Sequence, residues 1–146
     1  MVRLDLVRDK VRRLRETCSA LRGATPSDAA DLVGDRDRRD LVSFRVYLAM
    51  QEAIDLASHL VADQGWGPAP NLRDHFNLLE RNKVIPQPLA ADLSAGVKIR
   101  DLIGHAYADV DPGKLHAAAG RIPALMEAYC AAVISWADTP SASGTS

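Results

Sequence analysis

Long uninterrupted apolar runs are missing from this 146-residue chain. A membrane span needs roughly 20 such residues, so the chain is expected not to cross a bilayer. Aromatic residues are sparse, at 5%, and no alternation of apolar and polar residues lasts long enough to read as a strand, which argues against a sheet-built core. Only two cysteines are present, Cys18 and Cys130. Lying far apart, with no CxxC and no ligand pair beside them, they make neither a zinc site nor a redox motif, and both read as small core hydrophobes. A charge excess of one sign is also lacking: the formal net charge is −1, so the molecule as a whole is not drawn to a polyanion and any nucleic-acid contact must be local. "MVRLDLVRDK" interrupts its apolar residues with charges too early for a secretory signal, and a cytoplasmic location is expected. Gly65 and Gly67 are followed by no Gly-Lys-Ser/Thr, which excludes a phosphate loop. His59, His75 and His116 lie on separate segments without an HExxH pairing, so no metal site and no cofactor is expected.

What the chain does contain is helical periodicity. Leu4, Val7, Val11, Leu14, Cys18 and Leu21 recur at steps of three and four, marking a first helix with a narrow seam that suits one neighbouring helix or a symmetry mate. Its basic residues (Arg3, Arg8, Lys10, Arg12, Arg13, Arg15, Arg22) outnumber Asp5, Asp9 and Glu16. Such a face is usually just solvated, with attraction of RNA or an acidic partner as the alternative. "GATPSDAADLVGDRD" interrupts, with room for one short helical turn after Ser27 or Asp28. A second long helix is predicted from about Arg38 to Gln64 on Leu41, Phe44, Leu48, Ile54, Leu56, Leu60 and Val61. "GWGPAP" ends it, and Trp66 there reads as a cover on the core rather than a base-stacking platform.

Asn71 is placed to cap a short helix carrying Leu72, Phe76 and Leu79. Pro86 or Pro88 opens the next, whose apolar face is Leu89, Leu93 and Val97. Asp111 followed by Pro112 predicts a further N-terminus, with breaks at Gly120 and Pro123 before a last segment carrying Leu125, Tyr129, Val133 and Trp136. The Asp111 carboxylate is explained by that cap more simply than by a cation shared with Asp109. The expectation is one all-α domain over residues 1–137, an up-and-down bundle of four to five main helices, followed by a disordered tail over 138–146.

One stretch carries more chemistry than packing requires. "RDLIGHAY", Arg100 to Tyr107, closes an apolar helical pattern with Arg, His and Tyr together. On an ideal helix, residues five apart point about 140° away from each other, so Arg100 and His105 would not share a face. Two routes bring them together: Gly104 could turn the chain back in the left-handed conformation, or Arg of one subunit could meet His of another. A guanidinium fork suits phosphate and an imidazole can give or take a proton, which fits metal-free cleavage of RNA through its own 2′-hydroxyl. By spacing alone the plainer account is a helix end, with Arg100 and His105 bonding the last carbonyls and Tyr107 packing.

Arg100, Asp101, His105 and Tyr107 reproduce the R-[N/D]-x-x-x-H-x-Y pattern, and through it the chain resembles the HepT-like toxins of the HEPN superfamily. "YLAMQEAIDLASHLVADQG", "LRDHFNLLERNKVIP", "AADLSAGVKIRDLIGHAYADVD" and "IPALMEAYCAAV" resemble successive helices of that family in order, from Asp37 to Trp136. The resemblance implies an all-α homodimeric endoribonuclease toxin, metal-independent, with two motif copies facing across the subunit cleft. It also implies a cognate MntA-like nucleotidyltransferase antitoxin in a type VII-like system, and no membrane partner. On this basis Arg100 would polarise the scissile phosphate, His105 would serve as acid/base, Asp101 would support the site, and Tyr107 would accept AMP from the antitoxin. Gly104 departs from the branched aliphatic residue expected there. Two other classes of function stand beside this one: a catalytically silent HEPN interaction subunit, and a nucleotide-binding partner of a minimal nucleotidyltransferase.

Overall fold

The computed structural model describes residues 3–106 and 109–139. Within them the chain forms α1 (Leu4–Ala24), the single turn α2 (Ala30–Val33), α3 (Arg36–Gln64), α4 (Leu72–Arg81), α5 (Gln87–Ala106) and α6 (Pro112–Asp138), with no strand among the described residues. The helix starts follow the capping residues. Asp35 accepts from the Arg38 amide at 3.0 Å, Asn71 from the Asp74 amide at 3.1 Å, and Asp111 from the Gly113 and Lys114 amides at 2.7 and 3.2 Å. Each satisfies donors that the first turn leaves without an intrahelical partner. Gly65 ends α3 in the left-handed region, φ 69°, and the Trp66 amide reaches back to the Val61 carbonyl, a closure that glycine adopts without a Cβ penalty.

α3 is the central element, packed by α1, α4, α5 and α6, while α1 also lies along α6 and α4 along α5. The α1 seam of Val7, Val11, Leu14, Cys18 and Leu21 is buried as its spacing predicts, but against two helices rather than one. Tyr129 of α6 is fully buried; its hydroxyl donates to the Ala53 carbonyl at 2.9 Å and its ring meets Phe76 edge-on. Trp66 packs on the core with its ring 5.6 Å from Trp136, the covering role read for it. Both cysteines are buried, and desolvation pushes their thiols up, to about 11 for Cys18 and about 12 for Cys130.

Two local expectations are corrected. Leu41 and Phe44, read as part of the buried stripe of α3, are exposed, Phe44 at 58%. The buried face runs instead through Val42, Val46, Ala49, Met50 and Ala53, because small alanines let neighbouring helices approach where larger residues would hold them off. Gly120 and Pro123 do not break α6, which is continuous from Pro112 to Asp138. A proline inside a helix costs about 3 kcal/mol, yet Ala119, Ile122, Pro123 and Met126 are all buried. Each large apolar side chain so covered returns about 1.5–3 kcal/mol, so tertiary packing outweighs the local defect. α6 is by length and composition long and apolar enough to cross a membrane, although Arg121 and Glu127 interrupt its apolar residues. Its Leu115, Ile122, Met126, Tyr129 and Val133 are buried against the other helices, as in the core helix of a bundle.

The basic face of α1 is largely neutralised in place. Arg12 pairs with Asp9 and with Glu16, Arg15 holds Glu127 at 2.9 Å, and Arg8 reaches Asp138 at 3.0 Å. These pairs are exposed and contribute little stability. They support a solvated face rather than a polyanion-binding one.

Candidate active site

α5 carries Arg100, Asp101 and His105 of the quoted motif, and its position is fixed by how closely it can approach α3. Gly96 lies on the contact: a Cβ there would stand 2.6 Å from the Met50 sulfur, so only glycine fits. Eight residues on, Gly104 faces the Tyr47 ring less tightly, with a Cβ position 3.3 Å from its Cε2. The pairings Met50 with Gly96 and Tyr47 with Gly104 run in opposite chain directions, so α3 and α5 are antiparallel. A larger residue at 104 would press on the Tyr47 ring by a few tenths of an ångström.

α5 continues through Gly104 and His105 to Ala106, with no left-handed residue in it. Of the two routes the sequence left open, the turn at Gly104 does not form. Arg100 and His105 therefore keep their helical divergence of about 140° and a rise of about 7.5 Å. Within one chain they do not converge. Arg100 points to α3 and is mostly covered, its side chain 21% exposed, while His105 is exposed in the last turn.

Arg100 does not turn back to the terminal carbonyls. Its Nε and Nη2 both donate to the Gln51 side-chain oxygen, at 3.1 and 2.7 Å, and its Nη1 donates to Asp101 at 2.8 Å. The guanidinium lies over the Tyr47 ring, 5.2 Å from its centroid, a cation–π arrangement. Asp101 is 48% exposed, so this ion pair remains in contact with water. Tyr107 lies outside the described residues. Leu102, beside the motif, is exposed at 47%.

Sequence reasoning passed over Gln51 and Tyr47. They are four residues apart on α3 and so share a face, a visible spacing, but nothing local shows that this face meets the end of α5. Two of the remaining histidines bond nearby carbonyls, the His75 ring contacting that of Leu72 at 3.2 Å and His116 that of Pro26 at 2.7 Å, while the buried Nε2 of His59 has no hydrogen-bond partner. Among the described residues no group of His, Cys, Asp and Glu could hold a metal ion. A groove of about 990 Å³ between α5 and α6, lined by Leu89, Gly96, Ile99 and Leu125, includes neither Arg100 nor His105.

Comparisons with known proteins align with this architecture. The model of a family described as ribonuclease HepT-like matches residues 10–132. The mRNA nuclease HepT of Shewanella oneidensis is 25% identical over 107 residues, spanning 73% of this chain and 80% of that protein. A tri-AMPylated Shewanella oneidensis HEPN toxin in complex with an MNT antitoxin superposes with a TM-score of 0.81 at 21% identity, covering 92% of this chain and 99% of that one. A mutant of a toxin–antitoxin pair containing MntA superposes with a TM-score of 0.80 at 21% identity, covering 88% and 98%. At such identities the likeness to solved structures is one of fold.

Proposed function

The chain belongs to the HepT-like ribonuclease family, and from that premise we propose that it is the toxin of a toxin–antitoxin pair, a metal-independent endoribonuclease whose site forms between two copies of the chain. The observation that carries the proposal is the state of Arg100. A guanidinium has five N–H donors. Gln51 takes one from Nε and one from Nη2, and Asp101 takes one from Nη1. One N–H is left on each terminal nitrogen, a pair suited to two oxygens of a phosphate. His105 stands exposed beyond it on the same helix. The open setting, away from any enclosed cavity, suits a polymer better than a small molecule.

Since one helix cannot aim both groups at one atom, the reading requires a symmetric homodimer in which Arg100 of one subunit faces His105 of the other. There the imidazole would take the proton of the ribose 2′-hydroxyl. The freed oxygen attacks phosphorus as the bond to the 5′-oxygen breaks, and a proton is delivered to that leaving oxygen. The products are a 2′,3′-cyclic phosphate and a 5′-hydroxyl. Arg100 would offset the charge gathering on the non-bridging oxygens, with Asp101 limiting its swing.

The partner is proposed to be an MntA-like nucleotidyltransferase, as in the complexes of the structural relatives. It would silence the toxin by moving AMP to the Tyr107 hydroxyl, adding bulk and negative charge where a phosphate backbone must enter. The alternative, a silent subunit that only binds the transferase, separates cleanly by experiment. Arg100→Ala and His105→Ala should each lower RNA cleavage by about 10²–10⁴-fold with thermal melting unchanged and with activity indifferent to chelators. Cleavage by both variants at the wild-type rate, or none by the folded wild-type protein, contradicts the nuclease reading.

A further inference from the structure

Arg100 is held by two residues of a different helix, and the way they hold it is chemically particular. Gln51 presents a neutral oxygen to the side edge of the guanidinium, accepting from Nε and Nη2 together. Tyr47 supplies the ring beneath the guanidinium plane. A carboxylate in place of Gln51 could accept the same two hydrogen bonds, but it would cancel the charge that must attract a phosphate. The amide fixes the direction without that cancellation. The Tyr47 ring packs close against Gly104, where a Cβ would stand 3.3 Å from its Cε2.

We propose that Gln51 and Tyr47 are positioning residues for RNA cleavage, a neutral cradle that aims the free end of the Arg100 guanidinium at the scissile phosphate while leaving its charge available. The inference rests on the nuclease reading above. Gln51 touches Arg100 and acts through it. Asp101 differs in kind: it is charged and half exposed, so water screens it and an incoming phosphate can displace it.

The test uses the full chain with a mixed-sequence RNA, and for binding the same RNA carrying 2′-deoxyribose, which cannot be cleaved by its own 2′-oxygen. Gln51→Ala should lower kcat/KM by about 10–100-fold, the scale of a misplaced catalytic group, and weaken binding of the uncleavable strand. In an Arg100→Ala background the same substitution should weaken that binding no further, since nothing is left to position. Gln51→Glu keeps size and acceptor. It should cleave poorly at neutral pH and gain on the wild type as pH falls, because the protonated carboxyl again offers a neutral oxygen. Wild-type cleavage by Gln51→Ala, independent losses from Gln51→Ala and Arg100→Ala, or a Gln51→Glu to wild-type ratio that does not change with pH, overturns the inference. Wild-type cleavage by Arg100→Ala instead retires the nuclease reading and this inference with it.

Discussion

Glu52 and Arg100 both lose water when α3 is packed, and they are compensated differently. Arg100 is met on its edge, face and tip by Gln51, Tyr47 and Asp101. Glu52, the neighbour of Gln51, has the Thr17 hydroxyl as a donor. Burial nonetheless pushes its carboxyl above the usual carboxylate range, and the Thr17 bond only partly offsets this. A carboxyl raised in the folded state binds protons more tightly there than in the unfolded chain. Its burdening effect is therefore absent below the ordinary carboxylate value and grows as pH rises through the folded one. Glu52→Gln keeps the acceptor for Thr17 and removes the charge. It should melt at a higher temperature than the wild type at pH 7, with the difference vanishing near pH 3; a variant that melts lower at pH 7 contradicts this account of Glu52.

At the scale of elements, the α3–α5 contact decides where the motif points. Gly96 admits α5 to within reach of Met50, which is fully buried and cannot swing to solvent. Gly96→Ala gains up to about 1 kcal/mol in helix propensity, but overpacking costs about 1–3 kcal/mol. The melting temperature should fall, by about 2–4 °C per kcal/mol of net loss in a chain of this size, and Arg100 should be drawn away from Gln51. A rise in melting temperature would show that the contact has slack. The same contact explains which elements could be read from the sequence. Caps such as Asp35, Asn71 and Asp111 act within a few residues, so their helix starts are written locally. Leu41 and Phe44 look like core by spacing, yet they face outward because the alanines of α3 mark the true contact face. Pro123 and Gly104 carry local signals for a break, and both stay helical, Pro123 buried in the core and Gly104 packed against Tyr47 of α3. The pattern at Arg100 and His105 was legible as chemistry; Gln51 and Tyr47, its supports, were not, because only the fold joins α3 to the end of α5.

For the whole molecule, the family supplies the class of activity, and the proposed site draws its Arg100 and its His105 from two different copies of the chain. α5 is straight through Gly104, so the guanidinium and the imidazole diverge on each protomer. Exposed apolar side chains, Leu41 and Phe44 on α3 and Leu102 on α5, are of the kind a symmetric interface would cover. A shared site makes an arithmetic demand on mixed dimers. In a dimer of one Arg100→Ala subunit with one His105→Ala subunit, one of the two sites keeps both its Arg100 and its His105, whereas sites built within single subunits are all broken. The most direct measurement is RNA cleavage by these two variants, each alone and after co-refolding together. The account predicts near silence from each alone and recovery of about a quarter of wild-type activity from the mixture, half the dimers being mixed and each holding one complete site. A mixture as silent as its components, beside an active wild type, would contradict it.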